Sequence, residues 1–352
     1  MRERFIAAAL PALLLTAPVT ASDDDPARVA CWQGDLAACE AGVAANSGDI
    51  AWLAQAVSAY RNAGDLDRAA ELGRELTTAT GRVLRLHDAA RQLAQQELAD
   101  GDPLLAVAAY TFLAGEGDSV ATITHLNQTG GSPFPPDDFV REAMAQAEGE
   151  LLQEAMEGRG LAWILAGNAD AGLADLRAAL EHGRLGAVLR VLRERGIDYQ
   201  GENRFTVAAI DAELEALLRG LAQEASAAGA AAEPAIAVVA ADEVVLADGY
   251  RMQVLSAAQM EIVDPEAHAA VVAQDVDLTG RMAVHFGSAV RSALGRVTLP
   301  DLSGDAGRAV AAEVARAMGT EWQRFGVGRA TFEVVLLSMA QPEAEPVRIA
   351  AE

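Results

Sequence analysis

The chain contains no lysine. All 27 of its basic residues are arginine, set against 51 aspartates and glutamates, for a formal net charge of -24 over 352 residues. Nucleic acid is excluded as a partner by that balance, since its phosphates would be repelled. Charge gives no attraction to anionic lipid headgroups either. Cysteine is almost absent, with Cys31 and Cys39 alone. No Cys or His partners complete a four-ligand zinc set around them, and in an oxidising compartment two close cysteines read first as a disulfide. On one straight helix they would stand about 12 Å apart, too far to bridge, so the chain must turn between them, at Gly34-Asp35.

The motifs of chemistry are missing too. His87, His125, His182, His268 and His285 stand singly, and none falls in a His-Glu-x-x-His pattern. There is no Gly-x-Ser-x-Gly elbow, no phosphate-binding glycine loop and no Cys or Ser beside a recognisable base. Asp275, Asp277, Thr279 and Gly280 begin like an EF-hand loop, but Phe286 stands where the twelfth-position Glu belongs. Asp264, Glu266 and His268 are close enough in sequence to hold a cation, yet sit where a strand-ending polar loop is expected. The sequence therefore predicts no enzyme, no catalytic residue, no metal and no cofactor.

What is present is apolar and patterned. Hydrophobic residues make up 51% of the chain, enough for a sizeable core in two domains. Met1 to Ala21 reads as a cleavable secretory signal: Arg2 and Arg4 lead an apolar run from Phe5 to Leu15, ahead of the small residues Val19-Thr20-Ala21. The run is too short for a transmembrane span of about 20 residues. The mature chain is thus expected in the periplasm, without a membrane span. Gly-Asp then recurs as punctuation at 34–35, 48–49, 64–65, 101–102 and 117–118, with Gly167-Asn168 as a variant. Glycine can end one helix and Asp or Asn cap the next. The pairs at 34 and 64, and those at 64 and 101, are separated by the spacing of helix-pair repeats. A breaker loop spans Gln128 to Asp138, and a long helix is expected from about Phe205 to Ala230, ending in an alanine-rich run.

After that run the period changes. Asp248-Gly249 is a strong hairpin signal, followed by alternation in which Tyr250, Met252, Val254, Met260 and Ile262 share one face. Asp264-Pro265 stops the strand. A helical stripe follows through Met282, Phe286, Val290 and Leu294, and a second through Val310, Val314 and Met318. Phe332, Val334 and Leu336 mark a closing strand. The order is β-β-α-α-β, helices on an antiparallel sheet.

Two stretches resemble known families. Ala247-Asp248-Gly249, Val263-Asp264-Pro265-Glu266, the run Leu294 to Leu302, and Glu321-Trp322 with Phe325-Gly326-Val327 resemble landmarks of the SPFH (band 7) domain. The module is also similar to the periplasmic domain of the flagellar protein FliL. The early strands and the coiled coil of a full SPFH domain are not recognisable. Ala63 to Leu72 reads like the turn and second helix of a TPR or Sel1 unit, and the Cys31–Cys39 spacing resembles the inter-helix disulfide of secreted Sel1-like proteins. The predicted layout is a signal at 1–21, a TPR/Sel1-like α-solenoid at 22–200, a long helix and Ala-rich linker at 201–234, an SPFH/FliL-like α+β domain at 235–342 and a tail at 343–352. These resemblances imply a scaffold or adaptor that binds protein partners and supports an inner-membrane complex, with the flagellar stator as the sharpest candidate and a homo-oligomer open. The competing expectation is an envelope hydrolase or peptidoglycan-acting accessory. Partner contacts are expected along the exposed edge of the strand 250–262, at Tyr250, Met252 and Val254, and around Trp322 and Phe325.

Overall fold

The computed structural model of the chain describes residues 26–46, 48–99, 101–115, 123, 138–201, 205–229, 235–274, 278–303, 305–338 and 347–351. The signal-like stretch, the Gly117-Asp118 pair, the breaker loop up to residue 137, His125, Asp275 and Asp277 lie outside the described residues.

The Gly-Asp joints do what their chemistry allows. Gly34, Gly48, Gly64 and Gly167 have φ between 82° and 92°, a left-handed conformation open to glycine for want of a Cβ. The residue after each caps the next helix. Asp35 Oδ1 accepts from the N–H of Ala37 and Ala38, Asp49 from Trp52, Asp65 from Arg68 and Asn168 from Ala171. The helices so bounded are α1 (Pro26–Trp32), α2 (Leu36–Ala45), α3 (Ile50–Ala63) and α4 (Leu66–Ala99). After Asp102, α5 (Pro103–Gly115) begins, and later come α6 (Asp138–Leu165), α7 (Ala169–His182), α8 (Ala187–Glu194) and α9 (Ala212–Gly229). Cys31 and Cys39 form a disulfide that ties α1 to α2 across Gly34-Asp35.

Two helices differ from expectation. α4 runs unbroken for 34 residues, about 51 Å, where a regular array of short helix pairs would turn back. Its apolar stripe serves two cores in succession. Ala69, Leu72 and Ala79 pack with α1–α3, whereas Ala90, Leu93 and Ala94 pack with α5 and α6. The helix expected from Phe205 begins only at Ala212. Val207 is held in a two-way backbone bridge to Leu185, at 3.0 and 2.8 Å, which keeps residues 205–207 out of the helix.

The C-terminal part is an antiparallel sheet in the order β1-β2-β3-β4: β1 (Ala235–Val245), β2 (Arg251–Ile262), β3 (Val327–Ser338) and β4 (Val347–Ala351). Gly249, at φ 85°, makes the β1–β2 turn. Between β2 and β3 lie α10 (Pro265–Gln274), α11 (Leu278–Leu294) and α12 (Asp305–Trp322). α10 was not foreseen. Asp264 caps it through Ala267 N–H at 3.0 Å, and Pro265 sits at its first position, where its missing N–H costs nothing. β4 pairs with β3 inside the stretch expected to be a tail.

One expectation fails outright. β2 has no exposed edge, because β1 pairs along one side and β3 along the other. It is not half-buried either. Met252, Val254, Ala258 and Met260 pack under α11 and α12 with Phe286, Val314 and Trp322. Leu255 and Ala257, on the opposite face, pack with Val335 and Leu337 against Ala90, Leu93, Val107 and Tyr110 of α4 and α5. The sheet is therefore the middle layer of three, and the helical part and the sheet share a core. Burying a leucine such as Leu255 contributes roughly 1.5–3 kcal/mol.

Candidate functional site

One hollow of mixed lining lies in the helical part, around α8. In this helix Val188, Leu189, Val191 and Leu192 are buried, and Arg190 and Arg193 lie on its other side. Gly186, the residue before it, supplies no side-chain cap. The cap comes from elsewhere: Glu157 of α6 accepts from Val188 N–H at 3.0 Å. Glu157 is only 7% exposed. Burial pushes its carboxyl above the usual range, while the N–H groups of Val188, Ala187 and Gly186 and the charge of Arg190 pull it back. An anion at a helix N-terminus is electrostatically matched to the helix dipole.

Past the end of α8, Gly196 turns the chain at φ 73°, with Ile197 N–H bonded to Leu192 O at 2.9 Å. The chain then runs through Asp198 to Tyr199, whose hydroxyl donates to Asp211 Oδ2 at 2.7 Å. Asp211 also caps α9 through Leu214 N–H at 2.8 Å. That backbone bond, then the tyrosine, holds its carboxyl below the usual range. Between these pieces is a groove of about 530 Å³ with Leu189, Leu192 and Ile197 on its floor and Arg193, Asp198 and Tyr199 on its rim. Phe205 stands on its margin, 69% exposed. An aromatic ring so exposed beside an apolar floor marks a surface suited to a partner's side chains.

The residues singled out from the sequence fall elsewhere. Met252, Val254, Trp322 and Phe325 are core residues. The Trp322 ring meets Phe286 edge-on at 6.3 Å, and the Arg281 guanidinium lies 5.8 Å from the centre of the Phe325 ring. Tyr250 alone of the five is exposed, at 42%, just past the hairpin turn. Asp264 and His268 are taken up structurally, the first as the α10 cap and the second with its Nδ1 3.0 Å from Phe325 O. Among the described residues no three His, Cys, Asp or Glu side chains gather as a metal site.

Acids with shifted titration in the C-terminal part are held separately. Asp242 is raised by burial against the opposing charge of Arg291. Asp301 is lowered by the hydroxyl and N–H of Thr298. His87, inside α4, is lowered by burial and by Arg91. Sequence reasoning missed the α8 groove because Phe205 looked like the start of a helix. The available signal was the amphipathy of residues 187–194 followed by Gly196.

No helix among the described residues is long and apolar enough to cross a membrane. Comparison with family models, with curated proteins and with solved structures finds no match for this chain.

Proposed function

We propose that the chain is a non-enzymatic periplasmic adaptor that holds an apolar segment of a protein partner in the groove beside α8 and, through that partner, supports an inner-membrane complex. The observation that carries this reading is the apolar floor of Leu189, Leu192 and Ile197 with Phe205 exposed at its margin. The groove is framed by fixed elements: α8 capped by Glu157, the Leu185–Val207 bridge, and the Tyr199–Asp211 bond. A preformed surface loses little conformational entropy on binding. The resemblance of the C-terminal stretches to SPFH and FliL domains supports a place at a membrane complex, with the flagellar stator as the first complex to test.

The experiment is site-specific photo-crosslinking in cells from a benzoylphenylalanine placed at residue 205, with the same probe at Leu66, an exposed residue on α4, as the control. One dominant inner-membrane adduct from residue 205, absent from residue 66 and lost on Ile197→Asp, at a partly buried groove residue, is the expected result. Adducts of equal pattern from both positions overturn the groove as the docking site. Unchanged swimming in a deletion strain removes the stator version.

A further inference from the structure

β1 ends the sheet. It pairs with β2 along all 11 of its residues, and among the described residues no strand pairs with its other side. Burial shows that this side is open. Both faces of β1 are packed: Ile236, Val238 and Ala240 against the core under α11 and α12, Val239 and Ala241 against the core of α4 and α5. Yet between Ala235 and Glu243 only Val238 is buried and the rest are partly exposed, whereas every residue of β2 from Met252 to Ala258 is buried. The two strands differ in having one neighbour or two, so the accessible surface of β1 lies along its backbone edge.

Proteins protect an open edge with proline, charge, a bulge or brevity. β1 has none of these over its first seven residues, Ala-Ile-Ala-Val-Val-Ala-Ala. Its register with β2 is unbroken, and the irregularity of the sheet falls between β2 and β3. Its only charges, Asp242 and Glu243, are engaged within the chain. Asp242 meets Arg291 at 2.5 Å, and Glu243 meets Arg82 at 3.0 Å and Arg251 at 3.4 Å. In a chain of net charge -24, an uncharged strip is where a second, equally acidic copy meets least repulsion.

We propose that β1 is a homodimer seam, in which two copies pair β1 to β1, antiparallel about a two-fold axis, and join their four-stranded sheets into one. The strand is self-complementary in that sense. Centred on Val238, Ala237 stands opposite Val239, Ile236 opposite Ala240 and Ala235 opposite Ala241, so each larger side chain beside the central valine faces an alanine. Asp242 of each copy then falls past the first residue of the partner's strand. The two Asp242 residues stand about 27 Å apart along the strand axis, well beyond a screening length of about 8 Å. Parallel pairing in register sets Asp242 against Asp242, and like charges directly opposite are destabilising. The seam is separate from the groove beside α8, so neither depends on the other.

The test uses the full chain. Sedimentation equilibrium over a range of concentrations is expected to show monomer and dimer in exchange. Hydrogen exchange in β1 is expected to slow from dilute to concentrated protein, because the amides facing away from β2 become bonded. Ala237→Arg, at a partly exposed residue outside both cores, is expected to weaken dimerisation roughly tenfold or more with circular dichroism unchanged, since it sets a charge against an apolar strand. Should that variant fail to fold, Ala235→Arg, at the first residue of the strand, is read in its place. Val284→Arg, exposed on α11, leaves the dimer intact. A chain monomeric at every concentration overturns the inference, as does a dimer equally stable in both β1 variants. Protection of β1 that requires a different protein, with the chain itself monomeric, also overturns it and assigns the edge to another occupant.

Discussion

Leu299 donates its backbone N–H to Asp248 Oδ2 at 2.9 Å, across 51 residues of sequence. Beside this bond Ala247 N–H donates to Val297 O at 2.9 Å, so the tip of the β1–β2 hairpin is clamped to the loop that follows α11. At the other end of the sheet, Gly326 O accepts from the N–H groups of both Val263 and Asp264 at 3.0 Å. The four stretches that resemble SPFH landmarks thus meet in two pairs, as joints between strands and helices. Asp248→Ala removes one joint while leaving the Gly249 turn. The expected loss is ~0.5–1 kcal/mol, the size of a single exposed hydrogen bond, read as a lower urea midpoint at unchanged slope.

Gly326 is the tighter joint. Its φ is 70°, and a Cβ there would lie 2.3 Å from Asp264 O and 2.8 Å from His268 N. Both obstacles are backbone, so α10 would have to shift. Gly326→Ala is expected to cost ~2 kcal/mol or more from strain and displacement together. Thermal unfolding followed by circular dichroism reads the loss, and an unchanged Tm would show that α10 moves freely.

Because Leu255 rests on α4 and α5 as part of the sheet, the helical and sheet layers are expected to unfold together. Leu255→Ala, creating a cavity at that seam, should cost about 2–4 kcal/mol and lower a single calorimetric transition as a whole. A split into two transitions in the native chain would mean that the seam carries little of the stability.

Glu157 makes a pH-dependent contribution of defined sign. Burial raises its folded pKa above the ordinary 4.5, so the native chain binds this proton more tightly than the unfolded chain. Stability from this group is therefore greatest below the ordinary value and falls as pH rises through the folded pKa. Glu157→Gln keeps an oxygen for Val188 N–H and should remove that fall. Glu157→Ala removes the cap and should lower Tm at every pH. Melting curves between pH 4 and pH 8 distinguish the two, and parallel profiles for the native chain and Glu157→Gln would contradict the assignment.

Reducing the Cys31–Cys39 bridge should loosen α1 and α2. For a loop this short the chain-entropy estimate is about 2.5 kcal/mol. Hydrogen exchange after reduction should rise in residues 26–45 and stay unchanged in β2, since these helices belong to a core separate from that of the sheet.

The legible parts of this chain are those written in local chemistry. Gly34-Asp35 or Asp248-Gly249 carries its whole instruction in two residues, a left-handed bend and a capping carboxylate or a hairpin turn, so joints and strand limits were readable. Burial across layers is not local. Gln253 reads as a solvent-facing position by alternation, yet it is buried because Arg82 O, 171 residues away, accepts from its amide. Ala257 and Ala241 are too small to announce which face they cover. Met252, Val254, Trp322 and Phe325 were read correctly as apolar landmarks but not as interior ones, because a stripe gives a face and not its neighbour. The groove depended on Leu185 pairing with Val207, a contact that no period records.

The middle position of β2 has a consequence for the order in which the chain can be completed. A ribosome delivers α4 and α5 long before the strands that cover them: Arg82 waits 161 residues for Glu243. Until those strands arrive, Leu93, Val107 and Leu113 face no sheet, and a fragment ending before residue 235 would present that apolar strip to whatever is nearby. The helical part therefore completes this core only when β2 and β3 have joined it.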